Sequence, residues 1–262
     1  MKRYFSLYFH FFRNCLMRDW EFRFNVLIWA VMNFSWFGLM LASVHLVFGQ
    51  VEAIAGWNRD EVLLLVLVQA LFLDFLWAFI LLNLSKFSRL VRRGDLDLAL
   101  LKPINLRFLV STRYFDNDHY PRMIFLFFLI PRFVGRLAVQ PTIFAWLNAG
   151  LLFGLGLFIF YNLFFMITTT NFWFTNLFNL GDFCSEVIDV GRAPVYIFKN
   201  QARIIFIYFI PTAFISTFPV QALLGQIGSE MVLVGMIISL VLLIVSQAFW
   251  RFALRHYTST GS

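Results

Sequence analysis

The stretch 62–84, VLLLVLVQALFLDFLWAFILLNL, carries Asp74 as its single charged residue. Wound as a helix at roughly 1.5 Å per residue, it is long enough to cross the ~30 Å hydrocarbon core of a bilayer. Five other stretches have comparable length and apolarity: 24–48, 121–139, 142–168, 204–224 and 231–254. A soluble fold could not hide them all. Apolar residues make up 61% of the 262, and charged residues 13%; soluble chains run at roughly 45–50% and 25%. The pattern predicts an all-α polytopic membrane protein with six transmembrane helices. The stretch 121–139 is the least regular, because Pro131 interrupts it and Arg132 and Arg136 follow. It is retained because its loss would invert every later segment.

Charge fixes the expected orientation. With six spans, 18 of the 21 lysines and arginines fall on one side. They lie before the first span, between the second and third (Lys86 to Arg122), between the fourth and fifth (Arg192, Lys199, Arg203) and at the end (Arg251, Arg255). Only Arg59, Arg132 and Arg136 fall elsewhere. Basic residues accumulate on the cytoplasmic side, so both termini are expected in the cytoplasm. The net charge of +7 therefore reads as membrane orientation rather than nucleic-acid binding.

Residues 1–23 carry a polar stripe at Arg3, Ser6, His10, Asn14, Arg18 and Glu21, with Tyr4, Phe5, Tyr8, Phe12, Leu16 and Trp20 filling much of the remainder. Spacing near 3.6 predicts an amphipathic helix lying in the membrane interface. Its seven charges and lack of an apolar run argue against a cleavable signal. Residues 24–262 then form one six-span domain with a long cytoplasmic loop over 85–120. In that loop Gly94 can end the helix running on from the second span. Asp95 can cap a short helix over 96–101, which Pro103 terminates. The segment 169–203 is expected as a second cytoplasmic loop, with Asp182, Glu186 and Asp189 on one helix face.

Most familiar chemistry is missing. No glycine is followed by lysine, so no P-loop can cradle nucleotide phosphates. There is no HExxH or GxSxG, the four histidines are scattered, and Cys15 and Cys184 suggest neither a metal site nor a disulfide. No catalytic residue or cofactor is expected in this chain. Asp74 is the single acid inside a span, at a cost of roughly 2.5–3.5 kcal/mol at a helix centre. It reads as a buried partner of Arg132, or of Gln69, Asn162 or a serine, with a transport-path or gating contact as the other reading. Gly150 and Gly154 form a GxxxG suited to close helix packing. Pro211 and Pro219 are expected to bend the fifth span, beside a transport path or simply in packing.

Two stretches resemble a known family. RRGDLDLALLKPINLRFLV at 92–110 is similar to a G-x-L-D-x-x-L-x-x-P stretch in the first cytoplasmic loop of one branch of bacterial ABC-2 type permeases. Phe172-Trp173, followed by RAPVYIFKNQARIIFIYFIPTAFISTFPVQALLG at 192–225, resembles that branch's proline-punctuated fifth span. The resemblance implies the membrane subunit of an ATP-binding-cassette exporter in the bacterial cytoplasmic membrane. Such a subunit pairs with itself or a sister permease and is driven by two ATPase subunits that hold the ATP and magnesium. Gly94, Asp95, Leu96, Asp97, Leu98, Leu100 and Pro103 would form the coupling segment that meets the ATPase. The same leucines could instead lie on the membrane or on the subunit's own helices. The competing function is a membrane-embedded enzyme acting on lipids, which should gather His, Asp, Glu or Ser at one depth.

Overall fold

A computed structural model describes residues 2–137, 140–174, 180–198 and 200–257. It is helical, with no strand among the described residues. Lys199 lies outside them, as do the side chains of Asp182 and Arg203. Four helices are long and apolar enough to cross a membrane: Arg23–Phe48, Arg59–Arg93, Ile143–Phe172 and Glu230–Arg255.

The amphipathic stretch forms α1 (Lys2–Glu21), and α2 (Arg23–Phe48) follows almost at once. Only Ala30 and Phe37 of α2 are buried, so most of its apolar surface faces outward. The centre of the fold is α3 (Arg59–Arg93), 35 residues long and about 52 Å from end to end. A reciprocal cap starts it: Asn58 Oδ1 accepts from Glu61 N, and the Glu61 carboxylate accepts from Asn58 N. Gly94, at φ +74°, stops it in the left-handed conformation that glycine adopts without strain. A π turn over Trp77–Leu81 interrupts α3. There the Ala78 carbonyl accepts from Asp116 N at 3.1 Å, a bond from outside the helix.

That bond belongs to a fold-back. The short α4 (Leu96–Leu100) and α5 (Leu106–Thr112) lead the chain back along α3. Asn83 clamps the return, donating to the Tyr114 carbonyl and accepting from Tyr114 N, at 2.7 and 2.8 Å. α1 lies over this segment, with Tyr4 edge-on to Phe108, Tyr8 and Phe12 edge-on to Phe115, and Arg3 donating to the Pro103 carbonyl. The loop 85–120 is therefore a packed element rather than a free cytoplasmic excursion. α6 (Tyr120–Val134) then runs antiparallel to α3. Its 15 residues end at Gly135, short of the expected 139 and, at about 22 Å, of the bilayer core.

α7 (Ile143–Thr169) is capped by Thr142 and packs along α11 (Glu230–Arg255). Between them the chain departs from expectation. α8 (Leu180–Asp189) and the turns after it pack along α3, and Arg192, Pro194 and Ile197 border a crevice with Val47, Phe48 and Val62. Those last residues stand at the opposite end of α3 from Gly94. Arg192 is therefore not on the side of the 85–120 loop, where a count of basic residues puts it. It pairs with Asp189 one turn earlier, and a count of cations alone does not see that pairing.

The expected straight span 204–224 is also broken. α9 (Asn200–Ile204) passes into a π turn over Ile205–Phe209, Pro211 halts it, and a 3-10 turn over Thr212–Phe214 leads to α10 (Thr217–Leu223). Pro211 has no N–H to continue the ladder, and the Thr212 hydroxyl donates to the Phe206 carbonyl at 3.2 Å. Every residue of α10 is buried. The Gly150–Gly154 pair does not mediate helix contact in this chain, since a Cβ on either would meet nothing within 4 Å. The close approach is at Gly156 instead, where a Cβ would stand 2.6 Å from the Phe214 carbonyl oxygen.

Candidate functional site

The segment named as the coupling site is a compact corner at one end of α3. Leu96 and Ala99 face inward and hold α4 against the fold. Leu98 (65% exposed), Leu100 and Leu101 (82% exposed) point away from it. Asp95 makes no side-chain cap, so its position before α4 leaves the carboxylate on the surface. Asp97 lies beside Tyr257, and burial first, then this carboxylate, raises the Tyr257 phenol above its ordinary value. Pro103 presents its carbonyl to Arg3 of α1. An apolar patch flanked by acid thus sits at the tip of a rigid 35-residue helix.

Asp74 is elsewhere, and fully buried at 0% exposure. It has a charged partner, but not Arg132, which is exposed. Arg122, from the first turn of α6, donates to both Asp74 oxygens at 2.6 and 2.9 Å and to the Asn33 carbonyl at 2.8 Å. His119 Nδ1 lies 2.8 Å from Asp74 Oδ1, its ring stacked on Trp77. The expected partner was wrong because the loop folds back. The return along α3 starts α6 at the level of Asp74, so Arg122 enters the core and Arg132 lies further along. The two-point grip on a carboxylate leaves Asp74 fully occupied.

Pro211 and Pro219 are both buried and do not join these sites. Pro219 borders an apolar crevice of about 380 Å³ with Phe127, Pro131, Trp146 and Gly150, at the other end of α7.

One residue stands out that sequence reading counted only as a loop cation. Arg107, on α5, reaches between α7 and α11. Its Nε donates to the Tyr161 hydroxyl (3.3 Å), Nη1 to Gln247 Oε1 (2.6 Å), and Nη2 to Asn162 Oδ1 and Ser246 Oγ (both 2.9 Å). The guanidinium also stacks over Phe165 at 4.4 Å. All four partners are neutral, and no carboxylate pairs with Arg107 among the described residues. Polar Asn162, Ser246 and Gln247 on otherwise apolar helices were the available signal. No group of His, Cys, Asp and Glu able to hold a metal occurs among the described residues.

Long apolar helices with an ion pair buried among them are the marks of a multi-pass membrane protein. The family model described as "ABC-2 family transporter protein" matches residues 34–261, and the chain belongs to that family. It is thus the membrane domain of an ABC transporter, a class that works with an ABC ATPase. No curated protein and no solved structure matches the chain.

Proposed function

We propose that this chain is the permease subunit of an ATP-driven exporter, moving an amphipathic or hydrophobic solute across the cytoplasmic membrane of a bacterium. Two copies, or one copy and a sister permease, form the passage, and separate ATPase subunits supply ATP hydrolysis. The reading takes six crossings, by α2, α3, α6, α7, the 180–223 region and α11, with both termini in the cytoplasm.

The observation that carries it is the α4 corner. Leu98 and Leu100 are exposed on a five-residue helix fixed by Gly94 to the end of α3, and Leu101 is exposed just after it. Apolar side chains on a loop otherwise rich in arginine are poorly placed in water and well placed in a groove of a partner. Force applied there acts on a helix that runs the length of the molecule. Asp95 lies beside the patch, where it can meet basic groups of an ATPase. The test replaces Leu98 and Leu100 with serine and measures recovery of the partner ATPase on purified permease. Lost association with normal membrane insertion supports the reading; full association and full export refute it.

A further inference from the structure

We infer that the cavity beside Arg107 is a binding site for an anionic amphiphile of the cytoplasmic leaflet, with its phosphate or carboxylate on Arg107 and its chain along α7. The cavity holds about 630 Å³ between α1, the π turn of α3, α5 and α7. That volume lies within the roughly 300–1,000 Å³ of small-molecule sites.

Charge makes the first argument. Arginine is always protonated, and Arg107 sits about 10–14 Å from the ends of α7 and α11, counted from Asn162 and Ser246 at 1.5 Å per residue. Four of its five N–H groups go to neutral oxygens, and the fifth, on Nη1, has no partner among the described residues. Neutral acceptors satisfy hydrogen bonds and leave the net charge standing. A half-buried cation set among apolar helices attracts an anion. Asp74 provides one for Arg122; no described residue provides one here.

The lining makes the second. Ser111 and Tyr161 place hydroxyls beside the guanidinium, 2.9 Å from each other, and can share an oxyanion. Asn105 and Thr112 also border the cavity, and most of the remaining wall is apolar, including Phe79, Ile80 and Leu157. A free inorganic anion would leave that wall wet, whereas an acyl chain covers it.

Access makes the third. Gly154 and Phe158 line the cavity and are exposed on the outward face of α7, so the opening is sideways rather than toward water above or below. Tyr8 of the amphipathic α1 borders the same cavity, which places it at headgroup depth.

The test uses the full-length chain in detergent and native mass spectrometry. It is titrated with dioleoyl phosphatidylglycerol and with dioleoyl phosphatidylcholine, which has the same chains and no net charge. Retention of the anionic lipid should be about tenfold stronger, as expected for one added charge-assisted contact. Arg107→Gln should erase the preference. Gly154→Leu should weaken the anionic lipid most and so remove the preference, because its side chain starts into open space at the cavity wall. Gly150→Leu, equally open but in the other crevice, should leave the preference intact. Equal retention of the two lipids by the unaltered chain overturns the inference. So does a preference that survives Gly154→Leu, which decides the matter even if Arg107→Gln fails to fold. Competition by glycerol 3-phosphate at the lipid's own concentration would assign the site to a soluble anion and overturn it too. No ATPase enters the measurement, so a failure here leaves the transport reading untouched.

Discussion

Asp74, Arg122 and His119 join three segments through side chains alone. Removing the acid leaves a buried guanidinium without its counter-charge, a loss of about 3–5 kcal/mol for a broken buried pair. Asp74→Asn is therefore expected to lower the thermal midpoint of the purified protein. Arg122→Gln in the same chain should restore part of it, and Arg132→Gln should restore none. Rescue by Arg132→Gln would reinstate the pairing that spacing suggested. A second residue-scale prediction concerns Asp118, in the turn before α6. Burial, then the negative Asp116 and Asp19, pushes its carboxyl up to about 6 from 3.8. The folded state holds this proton more tightly than an unfolded chain does. Its contribution to stability is therefore complete below about pH 3.8 and is lost as pH rises through about 6. Asp118→Asn should flatten that decline in a midpoint-versus-pH series, and an unchanged slope would remove the carboxylate from the account. That Asp74 needs a buried partner was readable from its place in an apolar run. Which partner was not, because the choice depends on where the loop turns back, and Asn83 decides that through contacts 31 residues away.

Among the elements, α4 was legible in its placing, since a glycine stop, a short helix and a proline stand in order along the chain, but the expected Asp95 cap does not form. The region 180–223 was not. Over 204–223 it carries no charge, and hydropathy cannot separate one straight helix from short pieces that bury their turns against neighbours. Pro211 signalled a bend, but the break also needs Ser216 to hold the Gly191 carbonyl (2.6 Å) and Thr217 to hold Val195 N (3.3 Å). GxxxG misdirected for a related reason. The spacing marks a smooth face without saying what meets it, and the glycine that the packing requires is Gly156. Gly156→Ala should cost about 1–3 kcal/mol by overpacking against the Phe214 backbone, while Gly150→Ala should be close to neutral. Equal effects in a thermal-unfolding comparison would refute this placement of the Thr212–Phe214 turn on α7.

For the whole molecule, topology is the open measurement. Cys15 and Cys184 are both buried, so neither reports sidedness in the native fold. Exposed positions serve better. In intact cells a membrane-impermeant thiol reagent should label Val51→Cys and Ile197→Cys and spare Leu101→Cys until the membrane is opened. Protection of Ile197→Cys would return the 190–198 turns to the cytoplasmic side, as basic-residue counting has it. The membrane class and the apolar stretches that became α2, α3, α7 and α11 could be read from hydropathy, since lipid demands long uncharged runs. The Arg107 site could not, because it forms from residues more than 130 positions apart along the chain. The Asp74–Arg122 bond spans 48 positions, and this bears on how the protein is made. At roughly 5–20 residues per second, the ribosome needs about 2–10 s after Asp74 to deliver Arg122. During those seconds the acid lacks its counter-charge and must wait beside the insertion machinery with water still in reach. The leucines and valines of 62–68 favour early entry of the helix, and the acid delays its settling. The nascent chain thus carries a timer, released when the first turn of α6 emerges.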